Sequence, residues 1–442
     1  MMLRRTGDNE KLPRILILGG GFAGVYTAYR LQKELKRAKV KARIGIVNRE
    51  NFFVFYPMLP EIISGGIGTE HILNPIRYVA KHSTLFTGEV SAIDLERQAV
   101  EIRHGLYGHR QEPRTLYYDH LVIALGGIPG ALEVPGLDEH AFNVQRLSNA
   151  FALRNHLIDT LEQANALSDR DARRKLLTYV VIGGGPSGVE VVGELENLVN
   201  DAIQYYSTIR HEDVQIIMVH GGDRLLEILP ANLGHYTAEN LSKRGVQLIF
   251  NRRVTEVDRN GATLSDGTRI EAATVVASLG LAVNPLVVGL PLPHDRKGAV
   301  IVHDTLLAGD YPNIWAIGDN ASVQDPHTGK PYPPTAQHAV RQAQVVAYNI
   351  AASLAGRTLK PIDYKTKGRM VPLGGHSAVA QIYGYTISGF PAWWLWRTYY
   401  LYLLPRWEKR LRVMFDWTLD LIFPPPLVQL KVGQPVPMGD DV

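Results

Sequence analysis

The sequence predicts an α/β fold in which one parallel-sheet domain is inserted into another. Three observations predict it. The chain has 442 residues, enough for two or three cores. Residues Arg14 to Leu31 read RILILGGGFAGVYTAYRL and Thr178 to Leu195 read TYVVIGGGPSGVEVVGEL, the same order of apolar run, glycine cluster and helical period written twice. Two further apolar runs end in glycine, LVIALGG at Leu121 to Gly127 and NIWAIGD at Asn313 to Asp319.

Composition narrows the chemistry. The hydrophobic fraction of 45% and charged fraction of 20% are those of a folded globular protein. A net charge of +4 carries no nucleic-acid signal. There is no Cys, which removes disulfides and thiol chemistry. No HExxH, GxSxG or EF-hand pattern is present, and no metal site is expected. The segment Met1 to Pro13 is charged and polar, unlike a signal peptide, and no run of eighteen apolar residues predicts a spanning helix. A cytoplasmic or cytoplasm-facing protein is expected.

Three glycines of the first copy each have a task. Gly19, Gly21 and Gly24 form GxGxxG. The first permits the tight turn, the second lets backbone approach a pyrophosphate, and the third lets helix pack on strand. The free N–H groups of the helix start then face the phosphates. Ala28 keeps the helix–strand contact small one turn later. Gly183, Gly185 and Gly188 repeat the pattern, with Val192 where Ala would be comfortable. The repetition predicts two Rossmann-like dinucleotide-binding units.

The strand after each fingerprint commonly ends in an acid that holds a ribose hydroxyl. The first such strand, Ala42 to Val47, is followed by Asn48, which bonds a hydroxyl without charge. The second, Val214 to Val219, is followed by His220, with Arg224 nearby. Lack of an acid there leaves NADPH as acceptable as NADH, or else His220 is a plain polar strand end. Gly126 and Gly318 close the other two runs, and Asp319 suits either a ribityl-hydroxyl acceptor or an N-cap. Gly280 is a further nucleotide-contact candidate in the second unit.

The order GGGFAG, LVIALGG, GGGPSGVE, NIWAIGD resembles the two-dinucleotide-binding flavoproteins over roughly residues 13 to 385. The resemblance implies FAD in the first unit and NAD(P)H in the inserted second. Absence of Cys sets aside the disulfide and sulfide:quinone reductases within that superfamily. The chain is most similar to the type II NAD(P)H:quinone dehydrogenases on three segments. NFFVFYPMLPEIISGG, Asn51 to Gly66, resembles their aromatic, Pro-rich segment near the flavin ring. Glu190 of GGGPSGVE matches their acid near the nicotinamide, although an acid in a first helical turn also suits the macrodipole. PPTAQHAVRQ, Pro333 to Gln342, resembles their AQxAxQ quinone motif through Ala336, Gln337 and Ala339. Arg341 stands where the second Gln belongs, and Gln342 follows, an amide turned by about 100° on a helix. Gln337 is therefore the quinone candidate. His338 and His376 are read as structural or solvated, with His338 also a possible proton donor.

The resemblance implies hydride transfer from NAD(P)H to FAD, with reacting atoms roughly 3–3.5 Å apart, then reduction of a membrane quinone without proton pumping. Two alternatives stay open: a soluble reductase of a ferredoxin-like protein, and a redox-sensing protein that keeps both nucleotides as ligands.

The C-terminal region differs in character. PAWWLWRTYYLYLL, Pro391 to Leu404, is aromatic and apolar. From Arg406 to Phe423, Trp407, Leu411, Met414, Phe415, Thr418 and Ile422 share one helical face and Glu408, Arg412, Asp416 and Asp420 another. With Lys409 and Arg410, this suits a helix in a membrane interface, a homodimer contact or packing on the protein's own core. Expected boundaries are 1–145 and 287–385 for the FAD domain, 146–286 for the NAD(P) domain, and 386–442 for a membrane-associated helical module.

Overall fold

The computed structural model describes residues 12–103, 113–130, 133–278, 280–419, 423 and 426–429. The elements that position the site are, in chain order, β1 (Arg14–Leu18), α1 (Phe22–Ala38), β2 (Arg43–Asn48), β3 (Thr84–Thr87), β4 (His120–Ile123), α2 (Leu147–Ala166), β5 (Thr178–Ile182), α3 (Pro186–Ile203), β6 (Gln215–Val219), β7 (Val246–Ile249), β8 (Thr274–Ala277), β9 (Ile314–Ala316), α4 (Ala336–Leu354), β10 (Gly368–Gly374), β11 (Ser377–Ile382), β12 (Tyr385–Gly389), α5 (Phe390–Leu403) and α6 (Trp407–Leu419).

The chain divides into two compact units. The first holds Met1–Val54, Leu73–Gly130 and Leu281–Thr366, and the second Phe55–Ile72, Ala131–Gly280 and Lys367–Val442. Unit one contains a five-stranded parallel sheet in the order β9-β4-β1-β2-β3. Ile15 to Leu18 of β1 are all buried, so the run is apolar on both faces, as a strand covered on two sides requires. The order reverses direction at β1. Ligands of such sheets bind at the carboxyl ends of strands beside that point.

Unit two contains a four-stranded parallel sheet in the order β7-β6-β5-β8. Phe142 bridges to Val276 of β8, which ties the chain upstream of α2 to this sheet. Within the same unit, β10, β11 and β12 form an antiparallel meander. Trp393 of α5 and Ala378 and Ala380 of β11 share a small apolar core there.

Ahead of β5 the chain forms α2 and then a short helix at Arg170–Leu176. Asp169 caps the second by accepting from the amides of Asp171 and Ala172. Asp420 and Ile422, named above on the faces of the last helix, lie outside the described residues.

Candidate functional site: two matched glycine turns

Both glycine clusters fold into the same turn. Gly19 and Gly183 each have φ +106°, a backbone state that side chains oppose. A Cβ on Gly19 would lie 2.1 Å from the Ala124 carbonyl oxygen, and one on Gly183 2.8 Å from that of Ser278. Gly24 and Gly188 are equally constrained: a Cβ would lie 1.9 Å from Gly19 O and 1.8 Å from Gly183 O. These contacts seat α1 on β1 and α3 on β5. Gly21 and Gly185 behave differently. Each is the extended residue just before its helix, and a Cβ there meets nothing within 4 Å. Backbone at the helix N-terminus thus faces open space in both units, the room a pyrophosphate needs.

The residue that ends each second strand supports its turn. Asn48 Oδ1 accepts from the Gly20 amide at 2.9 Å, while Nδ2 donates to Glu50 O at 2.9 Å. His220 Nδ1 accepts from the Gly184 amide at 3.1 Å. Arg224, near His220 in sequence, donates to Leu229 O at 3.0 Å and Glu227 O at 3.1 Å.

The remaining unit-one candidates gather at the carboxyl end of its sheet. Gly126 donates to Asn320 Oδ1 at 3.0 Å, and Asn320 Nδ2 donates to Ile123 O at 3.1 Å. Gly318 has φ +78°, and a Cβ on it would lie 3.1 Å from the Cβ of Ala23, in the first turn of α1. Its amide donates to Gln342 Oε1 at 2.7 Å, and Gln342 is buried. Gln342 thus holds the Gly318 turn from α4, and Arg341 stacks over Tyr364 at 4.9 Å. Asp319 follows Gly318. Burial raises its carboxyl above the usual range. With open room at Gly21, this acceptor fits the hydroxyls of a dinucleotide.

Ala336 opens α4, and Gln337 in the same turn accepts from the Tyr364 hydroxyl at 2.9 Å. His338 is structural: it is buried, with Nδ1 2.7 Å from Thr335 Oγ1 and Nε2 3.0 Å from Thr366 Oγ1. His376 lies exposed against the edge of Trp393, its pKa lowered by partial burial and by Arg397.

In unit two, Glu190 sits just past the first turn of α3, where the macrodipole acts less than the first-turn reading assumed. Its carboxyl is pushed up to about 8 by burial and then by the Glu194 carboxylate one turn on. Tyr400 of α5 faces it and is raised mainly by burial and then by Glu190. Glu194 is buried and accepts from Ser64 Oγ. The i, i+4 spacing of two acids on an apolar helix face was the available sequence signal for this pair. Gly280 is exposed after β8, with its carbonyl 3.5 Å from Gln145 Nε2. Among the described residues no group of three or more metal-ligating side chains occurs.

The C-terminal helices carry two apolar stripes. Val413 and Trp417 of α6 face inward, and Trp417 Nε1 donates to Glu61 Oε2 at 2.8 Å. Arg397 of α5 lies over the Trp393 ring at 4.1 Å and the Trp417 ring at 4.5 Å. Asp416 also turns inward, bonded to His71. Trp407 and Phe415, on the face read as apolar from sequence, are 68% and 62% exposed, and Leu411 and Met414 are exposed as well.

Comparison with known proteins agrees with this architecture. Residues 13–343 match the pyridine nucleotide-disulphide oxidoreductase family, and residues 367–424 match the NDH2 C-terminal domain. The chain is 33% identical to the type II NADH:quinone oxidoreductase Ndh of Mycobacterium tuberculosis, covering 94% of this chain and 90% of that one. It is 32% identical to the demethylphylloquinone reductase NdbB of Synechocystis, over 92% of this chain and 95% of that one. The fold matches the structure of NDH2 from Plasmodium falciparum in complex with NADH, with a TM-score of 0.86 at 21% identity, covering 95% and 100% of the two chains. The chain belongs to the type II NADH:quinone oxidoreductase family, within the pyridine nucleotide-disulphide oxidoreductase superfamily.

Proposed function

We propose that this type II NADH:quinone oxidoreductase holds FAD on the first glycine turn and NADH on the second, and delivers electrons to a membrane quinone. The observation that carries the reading is the matched pair of turns, each with its middle glycine open and its other two closed by backbone. When bound, FAD supplies a carrier that takes two electrons as hydride and passes them on. The turn closed by Gly19 and Gly24 would receive its pyrophosphate at Gly21, Asp319 would accept from its hydroxyls, and Gly126, Gly318 and Ala336 would line its site. Gly183, Gly185 and Gly188 receive the pyrophosphate of NADH, beside His220 and Gly280. Gln337 offers its amide to the quinone. Glu190, protonated at neutral pH, holds a proton for quinone reduction.

The nested boundaries of residues 1–145 and 287–385 around 146–286 go with this assignment. So does attachment to the cytoplasmic face of a membrane through α5 and α6, whose outward aromatics support it; a homodimer is the other use of that face. Among the described residues no helix is long and apolar enough to cross a membrane.

Anaerobic mixing tests the reading. NADH should bleach the flavin absorbance of the purified protein, and a lipid quinone should restore it. Rapid bleaching with no recovery by any quinone would point to a protein acceptor instead.

A further inference from the structure

The end of β6 lacks an acid in sequence, yet the fold brings one there. His220 follows β6 and uses Nδ1 to accept from Gly184. In the neutral ring that leaves the proton on Nε2. His220 Nε2 lies 3.4 Å from Glu227 Oε1. A carboxylate from farther along the chain is thus brought beside the residue that follows the strand.

The loop is built to hold it. The Leu226 amide donates to Gly184 O at 2.9 Å, and Leu226 adopts φ +52°, a conformation that branched side chains rarely accept. Leu225 and Leu226 are fully buried beneath. Arg224 clamps the far side through Glu227 O and Leu229 O. Gly222 leaves the space the acid fills, because a Cβ on it would lie 1.9 Å from Glu227 Oε1. The Glu227 side chain is still 54% exposed, so a ligand can reach it.

We propose that Glu227 is the residue that reads the adenosine ribose of the nicotinamide nucleotide. Its carboxylate accepts from the 2′- and 3′-hydroxyls and repels a 2′-phosphate, so NADH is favoured over NADPH. Arg224, the cation nearest in sequence, has committed donors to loop carbonyls. Arg253, exposed and packed against Gly221, is the cation that would answer a 2′-phosphate if one were preferred. The assignment rests on the reading of unit two as the NADH site.

Steady-state rates of the holoenzyme with NADH and with NADPH test it, together with calorimetric binding of ADP-ribose and its 2′-phosphorylated form. Wild type should prefer NADH. Glu227→Gln should raise KM for NADH about tenfold, the worth of one charged hydrogen bond, and leave kcat in place. ADP-ribose binding should weaken alike, and the preference over NADPH should narrow. Gly222→Ala, which displaces the carboxylate without touching it chemically, should shift KM in the same direction. An unchanged KM and unchanged preference in Glu227→Gln overturns the assignment alone, as does a wild-type preference for NADPH that Arg253→Ala abolishes. A wild type that binds neither ADP-ribose nor NADH overturns the nucleotide reading of unit two and this assignment together.

Discussion

The Gly184 amide donates to His220 Nδ1 at 3.1 Å, and the same bond recurs in the other unit, where Gly20 donates to Asn48 at 2.9 Å. What the two strand-end residues have in common at that point is an acceptor aimed at the turn. Their first task is therefore to hold the glycine turn, whatever they offer a ribose. Asn48→Ala removes that acceptor and the donor to Glu50 O, and should cost roughly 1–3 kcal/mol of stability. Chemical denaturation before and after flavin removal checks it. A loss of equal size in both forms marks the structural task, whereas a loss confined to the flavin-loaded form would make Asn48 a ligand contact first.

The middle and outer glycines separate ligand binding from folding. Gly21 has φ −80°, which Val adopts without strain, and open space at its Cβ. Gly21→Val should fold normally and lose flavin, read as a collapse of the flavin-to-protein absorbance ratio with unchanged circular dichroism. Gly185→Val should keep its flavin and raise KM for NADH by roughly tenfold or more. Gly24→Ala drives a Cβ to within 1.9 Å of Gly19 O and should instead cost stability, roughly 1–3 kcal/mol. If Gly21→Val retained flavin in full, the first turn would not be the FAD site.

What was legible in sequence follows the range of the physics. The glycine turns are local: a handful of residues fix the dihedrals and the strand–helix approach, so Gly19 to Gly24 and Gly183 to Gly188 could be read directly. The partners that complete the site are not local. Gln342 serves Gly318 from α4, and Asn320 serves Gly126, through contacts that no spacing rule encodes. Arg224 lies near His220 in sequence, and its donation to two loop carbonyls is a pairing that proximity does not encode. In α6 the helical period marks one apolar stripe, and the core takes Val413 and Trp417 from a second. Periodicity locates a face and leaves open what covers it.

Glu190 gives the pH dependence a sign. Its folded-state value is raised from 4.5 to about 8 by burial and by Glu194, with Tyr400 facing it from α5. The unfolded chain therefore binds fewer protons than the folded one between those values, and stability should fall as pH rises through that window. Glu190→Gln should flatten the fall, checked by melting temperature against pH. The kinetic counterpart follows if Glu190 supplies a proton to the quinone. Quinone reduction in wild type should slow as pH rises through about 8, and the slope should vanish in Glu190→Gln while flavin stays bound. A variant that keeps the wild-type pH profile would remove Glu190 from the proton step.

The outward face of α6 sets large aromatics against water, with Trp407 and Phe415 each more than half exposed and Arg410 and Arg412 on the same helix. Apolar rings beside basic groups are the composition of a helix that lies at a lipid interface. Neither ring supports the fold, since the core side is Val413 and Trp417. Trp407→Ser with Phe415→Ser should thus leave thermal stability and NADH oxidation by a water-soluble acceptor intact. It should weaken binding to anionic phospholipid vesicles by roughly tenfold or more, as the lost burial of two rings requires. Added salt should weaken wild-type binding further by screening the basic groups. Val413→Ala is the opposite control, costing roughly 1–3 kcal/mol of stability with vesicle binding kept. Flotation and melting curves read both. If the double variant still floats with vesicles but sediments as half the wild-type mass, the face joins two copies of the chain, and the membrane is met elsewhere.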